Sequence, residues 1–226
     1  MADGIGGLSG GAVGVCSDTL QTLSTFLTTA MTLVSVARIK EYDQTKPSSG
    51  GSRTKTVFGV VVRDVPVLTQ YFTRALDEPL TTWLGSGGEL QEFALTMHWQ
   101  EHQRTESFVF KLQWTDMTPH PPIRALYAAR NKDAELIKSE LSDMQDCFRK
   151  LQVLNTIIST PPPPDRPSDI ALSTRSSHPQ TKLWQTAVSS DLPPSASTQL
   201  LPIKTVVLGV ITVHVFAVLS SLQKPD

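Results

Sequence analysis

The chain has 226 residues, 39 % of them hydrophobic, with 20 basic and 21 acidic side chains and a net charge of −1. That length fits one large domain or two small ones, and a mean hydropathy of −0.10 is ordinary for a globular protein with some loose loops. The balanced charge excludes a broad basic face, so direct binding of nucleic acid or anionic lipid is not expected.

The first residues are rich in glycine (Gly4, Gly6, Gly7, Gly10, Gly11, Gly14). They lack the basic start and apolar core of a signal peptide. No Gly-Lys-Ser/Thr follows, so they do not form a phosphate loop. Residues 1–15 therefore read as a flexible leader. Cys16 and Cys147 both lie on apolar helical patterns and read as buried free thiols. There is no CxxC, no HExxH and no Cys/His cluster at metal spacing. A cytosolic or nuclear compartment fits these features.

Residues 16–38 carry Leu20, Leu23, Phe26, Leu27, Ala30, Met31, Val34 and Ala37 at spacings of three and four, a helical stripe with Thr and Ser on the other face. "DQTKPSSGGSR" reads as a loop and "KTVFGVVV" (55–62) as a β-branched strand. Asp64 is the expected N-cap of a second helix, with Pro66 in its first turn and Pro79 kinking or dividing it. "GSGG" (85–88) ends that helix as a turn, not a nucleotide cradle. "ELQEFALTMHW" and "SFVFKLQW" alternate apolar and polar residues around "QEHQRTE", which predicts a hairpin. His98, His102 and His120 match no metal-site spacing and read as exposed strand or turn residues.

Residues 133–158 predict a third helix, with Leu136, Ile137, Leu141, Met144, Phe148, Leu151 and Leu154 inward and Glu135, Lys138, Glu140, Arg149 and Lys150 on the solvated face. "PPPPDRP" (161–167) stops it; this run reads as a stiff loop, and four successive prolines also form polyproline II ligands. "DIALSTR" (169–175) and "KLWQTAVS" (182–189) are short strands, and "SDLPPSAST" is a loop. The final apolar segment, from Ile203 to Leu222, admits two readings. From Thr205 onward it has no Lys, Arg, Asp or Glu and reaches the lower length for a spanning helix. Its many β-branched residues, the mid-segment His214 and the missing aromatic belt favour strands instead.

The order of elements predicts an α+β fold: a mostly antiparallel sheet with helices on one side. No nucleophile elbow and no paired-carboxylate context appear, so no catalytic residue is assigned and the chain reads as a non-enzyme. No metal and no cofactor is expected.

The ordered set of segments resembles the HORMA domain family. "VLTQYFTRALDEPLTTWL", with Tyr71 and the in-helix Pro79, resembles the family's second helix. The hairpin with Glu106, Phe108 and Phe110 is similar to the family's Glu-x-Phe-x-Phe strand, and "LLPIKTV" (200–206) resembles the start of its C-terminal safety belt. The likeness covers residues 16–220 and is greatest to the accessory, non-catalytic subunits of translesion DNA polymerase zeta. "RIKEYDQTKPSSGG" departs from the family, being looser and more polar where the family has Tyr-Pro and a following Phe. Asp146 stands where those subunits carry a dimerisation Arg, which puts the dimer mode in doubt.

The resemblance implies a HORMA-like fold with three helices on one side of the sheet and a C-terminal safety-belt β segment. It implies one domain over 16–222: core 16–160, Pro/Ser-rich loop and strand 161–181, belt 182–222, then a tail 223–226. It implies an adaptor that traps a partner peptide as an added strand beneath the belt, in translesion synthesis and DNA repair in the nucleus. The implied partner is an extended Pro-containing peptide of a polymerase catalytic subunit, with other repair proteins or a second HORMA protein as further partners, and no membrane. Spindle-checkpoint and meiotic-axis adaptors are the other classes, and a tail-anchored protein the remaining rival. By the same resemblance Tyr71, Trp184, Leu200 and Pro202 line the peptide pocket. Each has a plainer reading: helix-face packing for Tyr71, a core or hairpin aromatic for Trp184, ordering of the start of the belt for Leu200 and Pro202.

Overall fold

A computed structural model describes residues 19–39, 42, 53–80, 90–114, 134–176, 185–186 and 196–222. Among these residues the elements in chain order are α1 (Thr19–Arg38), β1 (Thr54–Val57), β2 (Val60–Arg63), α2 (Pro66–Glu78), β3 (Leu90–Trp99), β4 (Arg104–Trp114), α3 (Ala134–Gln152), α4 (Leu154–Ile157), β5 (Asp169–Ser176), β6 (Gln185–Thr186), β7 (Ala196–Leu208) and β8 (Ile211–Leu222). Six strands form one sheet in the order β6-β5-β3-β4-β8-β7, and β1 and β2 form a separate pair. Every pairing in the large sheet is antiparallel except β5 with β6. The α+β architecture with a mostly antiparallel sheet is therefore as expected.

Alternation sets the two faces of the sheet. Phe93, Leu95, Met97 and Trp99 of β3 share the buried face with Phe108, Phe110 and Leu112 of β4 and Ile211, Val213, Val215 and Ala217 of β8. The helices cover this face. Within α1, Leu23, Phe26, Leu27, Ala30, Met31 and Val34 are fully buried. The Thr/Ser side of α1 is also enclosed, because α2 and α3 both pack on the helix. Thr32 and Ser35 donate to the Thr28 and Met31 carbonyls at 2.8 and 2.9 Å, so burial does not strand their hydroxyls. Phe148 of α3 stacks on Phe26 at 5.5 Å and on Phe58 at 6.1 Å. Cys147 is buried there too, and burial pushes its thiol pKa up to about 12, which keeps it a protonated packing group. Cys16 lies outside the described residues.

Several local expectations change. "KTVFGVVV" is not one strand but the tight hairpin β1–β2, because Phe58 and Gly59 both take positive φ (49° and 79°). Phe58 adopts this unusual conformation while its side chain, 1 % exposed, enters the core. Asp64 does not cap α2: Val65 is the cap residue, Pro66 begins the helix, and Asp64 pairs with Lys55 at 3.2 Å. The third helix divides at Val153 into α3 and α4. Strand β7 begins at Ala196, within the expected loop, since Ala196–Thr198 pair with Leu222–Ser220. The 85–88 turn and most of the first loop lie outside the described residues. The final apolar segment is the hairpin β7–β8 and not a spanning helix. The described helix long and apolar enough to cross a membrane is α1, which is mostly buried in the core.

Charges sit at the centre of this core. Arg38, at the end of α1, grips Glu106 of β4 with two nitrogens, Nε donating at 2.7 Å. Both side chains are fully buried. Arg104 reaches the same carboxylate from two residues away. The surplus positive charge faces carbonyls: both arginines donate to Thr160 O, and Arg104 donates to Pro161 O at 2.8 Å. Arg38 also donates to Asn155 Oδ1 at 2.7 Å, and Asn155 donates to Ala37 O. The cluster thus joins α1, β4, α4 and the proline segment. Glu106→Gln removes the charge that the buried Arg38 and the half-buried Arg104 share, so it is expected to destabilise the protein by about 3–5 kcal/mol in urea unfolding; a cost below about 1 kcal/mol would show the cluster to be incidental.

Candidate functional site

The C-terminal hairpin is docked by backbone and by side chains. β8 pairs with β4 through an unbroken antiparallel register from Arg104↔Ser221 to Trp114↔Ile211. β7 covers the other side of β8, with an irregularity between Pro202 and Lys204. Three polar contacts from α3 fasten the hairpin. Glu140, 2 % exposed, accepts from the Gly209 N–H at 2.6 Å in the hairpin turn. Gly209 has φ of 59°, and an added Cβ would lie 3.1 Å from Thr19 Oγ1. Lys150 donates to Ile203 O at 2.8 Å at the irregularity, where β7 lacks a regular partner. Lys204 pairs with Asp143 at 2.9 Å and with Asp146 at 3.7 Å, and the Asp143 hydrogen bond raises the Lys204 pKa.

This docking makes β7 the edge strand on the β4 side of the sheet. The hairpin occupies the β4 side, while β5 lies beyond β3 on the opposite side. Among the described residues the outer edge of β5 pairs only at Ser173 and Thr174, in parallel with Gln185 and Thr186. The rest of this eight-residue strand offers backbone donors and acceptors to an added strand. Ile170, near its start, is 43 % exposed and supplies an apolar side chain there. β6 follows β5 in the chain and lies beside it, whereas β7 lies at the opposite edge, four strands or about 19 Å from β5.

The four expected pocket residues distribute as follows. Tyr71 lies on α2, 42 % exposed, its ring edge-on to Phe72 at 5.3 Å. Partial burial raises its phenol pKa. Leu200 and Pro202 sit on β7 opposite Val218 and Phe216, both exposed on the face away from the helices. The sheet therefore separates that pair from Tyr71. Trp184 lies outside the described residues, as does His120. Asp146 pairs with Arg149 at 3.0 Å on the exposed side of α3. His98 meets Thr105 and His102 meets Asp165, and no cluster of metal-ligating side chains occurs among the described residues.

Glu140 is a correction: expected on the solvated face, it is buried under the hairpin turn. Its spacing carried the signal, since 140, 144, 147 and 151 form one helical stripe. Glu106 carried a similar one, sharing the phase of Phe108, Phe110 and Leu112. Ile170 and the Lys150–Ile203 contact carried none, because both depend on which strands end at an edge.

No family model and no curated protein matches the sequence. Solved structures do. A chain of the mitotic checkpoint complex superposes with a TM-score of 0.61 at 13 % identity, covering 88 % of this chain and 97 % of that one. HTP-2 of C. elegans, bound to a HIM-3 closure motif, gives 0.55 at 16 % identity over 90 % and 92 %. HTP-1 of C. elegans, bound to HTP-3 motif-1, gives 0.53 at 13 % identity over the same shares.

Replacing Glu140 with Ala removes an acceptor from the Gly209 N–H at a cost of about 1–3 kcal/mol. Hydrogen exchange of the Ile211–Leu219 amides is expected to accelerate while the α1 amides stay protected; uniform acceleration would mean that the contact supports the whole fold rather than the hairpin. The hairpin docked on β4, the open β5 edge and the match over nearly the full length of these structures together identify the fold as HORMA-like.

Proposed function

We propose that this chain is a non-catalytic adaptor that captures an extended partner peptide as a strand beside β5 and closes its C-terminal segment, 182–222, over it. One observation carries this reading: the hairpin is docked on β4, and on the far side of the same sheet the described residues pair with β5 only at Ser173 and Thr174. A peptide added there gains main-chain hydrogen bonds for affinity, and neighbouring side chains select its sequence. Release then requires the hairpin to peel from an eleven-position ladder, and slow dissociation follows.

The finer assignment is to the accessory subunit of DNA polymerase zeta, acting in translesion synthesis and DNA repair in the nucleus. It rests on the sequence likeness of the Tyr71–Pro79 helix, the Glu106-x-Phe108-x-Phe110 strand and "LLPIK". Its partner would be a Pro-containing peptide of the catalytic subunit, with repair proteins or a second HORMA protein beyond that. A second reading, an adaptor of the spindle-checkpoint or meiotic-axis type, is favoured by the fold shared with a mitotic checkpoint complex chain and with closure-motif-bound HTP-2.

The test is fluorescence anisotropy with two labelled probes, a Pro-containing peptide of the polymerase zeta catalytic subunit and an HTP-3-type closure motif. The full chain is compared with Trp184→Ala and with a chain ending after Gln199, each checked for folding by circular dichroism. Slow, tight binding of the polymerase peptide, weakened by about tenfold or more in folded Trp184→Ala, is the expected result. Tight binding of the closure motif alone would select the second reading. A folded chain that binds neither peptide would refute the adaptor.

A further inference from the structure

Thr160 and Pro161 follow α4, which ends at Ile157, and the chain bends from Ile158 to Thr160. Ser159, Thr160 and Pro161 are all exposed. A Ser or Thr directly followed by Pro occurs at two places in the chain, here and at Thr118-Pro119, which lies outside the described residues. A residue before proline is pushed from helical to extended geometry, and Pro161 has no backbone donor. An exposed hydroxyl on extended backbone before a donor-free residue is what a proline-directed protein kinase reads. Ser159 has the exposure but not the proline.

The surroundings of Thr160 carry surplus positive charge. Arg104 donates to Thr160 O at 3.2 Å, and Arg38 donates to the same oxygen at 3.3 Å. Arg104 also donates to Pro161 O at 2.8 Å. Both guanidinium groups share one carboxylate, that of Glu106, so one positive charge is in excess. Asn155 of α4, which accepts from Arg38, is neutral. Burial lowers the Arg104 pKa; Glu106 opposes this and Arg38 adds to it. Among the described residues the excess charge thus meets neutral oxygens, those of Thr160, Pro161 and Asn155.

We propose that Thr160 is a phosphorylation site for a proline-directed kinase, with Arg104 and Arg38 receiving the phosphate. Thr160 Oγ1 attacks the γ-phosphorus of a nucleoside triphosphate. The new O–P bond forms as the bond to the β–γ bridging oxygen breaks, the nucleoside diphosphate leaves, and the hydroxyl proton passes to a base of the kinase. The product carries a charge of about −1.5 to −2 at pH 7 and three acceptor oxygens. The hydroxyl and carbonyl oxygens of one threonine are close neighbours in its covalent structure. A phosphate on Oγ1 therefore comes within reach of the guanidinium groups that already hold this carbonyl, and arginine binds phosphate by paired, charge-assisted hydrogen bonds.

Docking on the kinase lifts the Thr160 and Pro161 carbonyls from the arginines, a local opening that leaves the sheet intact. When the segment returns, an ion pair replaces contacts to neutral carbonyls and tightens the junction of α1, β4 and the proline run. The site uses none of the residues of the β5 edge, so its failure would leave peptide capture untouched.

The test uses the full-length chain carrying Thr118→Ala. It is incubated with ATP and a panel of purified proline-directed kinases of the cyclin-dependent and mitogen-activated classes, and the products are mapped by tandem mass spectrometry. Phosphate on Thr160 is expected, absent in Thr160→Ala and incorporated about tenfold or more slowly in Pro161→Ala. Both substitutions alter exposed side chains, and thermal melts matching the parent show that lost labelling is not lost folding. The phosphorylated chain is then titrated by phosphorus-31 NMR, folded and in urea. The second ionisation of the phosphate should lie near pH 6 in urea. In the folded chain the arginines favour the dianion, so the midpoint should fall by about one unit. The site is overturned if no panel member labels Thr160, if Ser159 takes the phosphate instead, or if Pro161→Ala is labelled as fast as the parent. A folded midpoint equal to or above that in urea would overturn the role of the arginines.

Discussion

The ladder between β4 and β8 is the constraint on which the rest depends. It runs without interruption over eleven residue pairs and carries the C-terminal hairpin onto the sheet. It is long because β8 offers Ile211, Val213, Val215 and Ala217 in phase with the buried face of β4. A shift of one residue would turn these side chains to solvent and bring Thr212, His214 and Phe216 into the core, so the register is tightly specified. With β8 on β4, the sheet ends in β7 on one side and, among the described residues, in β5 with its two-residue partner β6 on the other.

Polar contacts refine what burial drives. The cluster of Arg38, Glu106 and Arg104 would be costly in an apolar core without its surrounding carbonyls. Its geometric effect is to register the end of α1 against β4 and to hold the start of the proline segment. On the other side, α3 reaches the hairpin through Glu140, Lys150 and Asp143. These groups meet the hairpin where its own pairing is weakest, at the turn and at the Pro202–Lys204 irregularity. The proline segment held by the arginine cluster leads directly into β5, which begins two residues after Pro167.

Much of this was legible in the residues. Alternation in 90–114 gave both strands of the central hairpin and their buried faces, and spacings of three and four gave α1 and α3. The β-branched content of the last segment pointed to strands, which the hairpin bears out. Less legible were features that depend on who faces whom. "KTVFGVVV" has the composition of one strand, and only Phe58 entering the core explains the turn at Phe58–Gly59. Asp64 suits an N-cap by type, but Lys55 on the paired strand takes its carboxylate. Glu140 suits a solvated face by type, but a glycine turn 69 residues away needs its oxygen.

By itself the sequence determined most element types, the buried phase of β3, β4 and β8, a near-zero net charge and the resemblance to a peptide-trapping family. These depend on local periodicity, turn chemistry and composition, which are written in consecutive residues. Tertiary structure alone decided that the hairpin docks on β4, that β5 keeps an open edge, that Tyr71 and the Leu200–Pro202 pair lie on opposite sides of the sheet, and that Arg38 meets Glu106. Strand order is set by competition among several compatible apolar faces for a single sheet, and buried charges find partners far along the chain. Neither leaves a mark within the short window over which periodicity can be read.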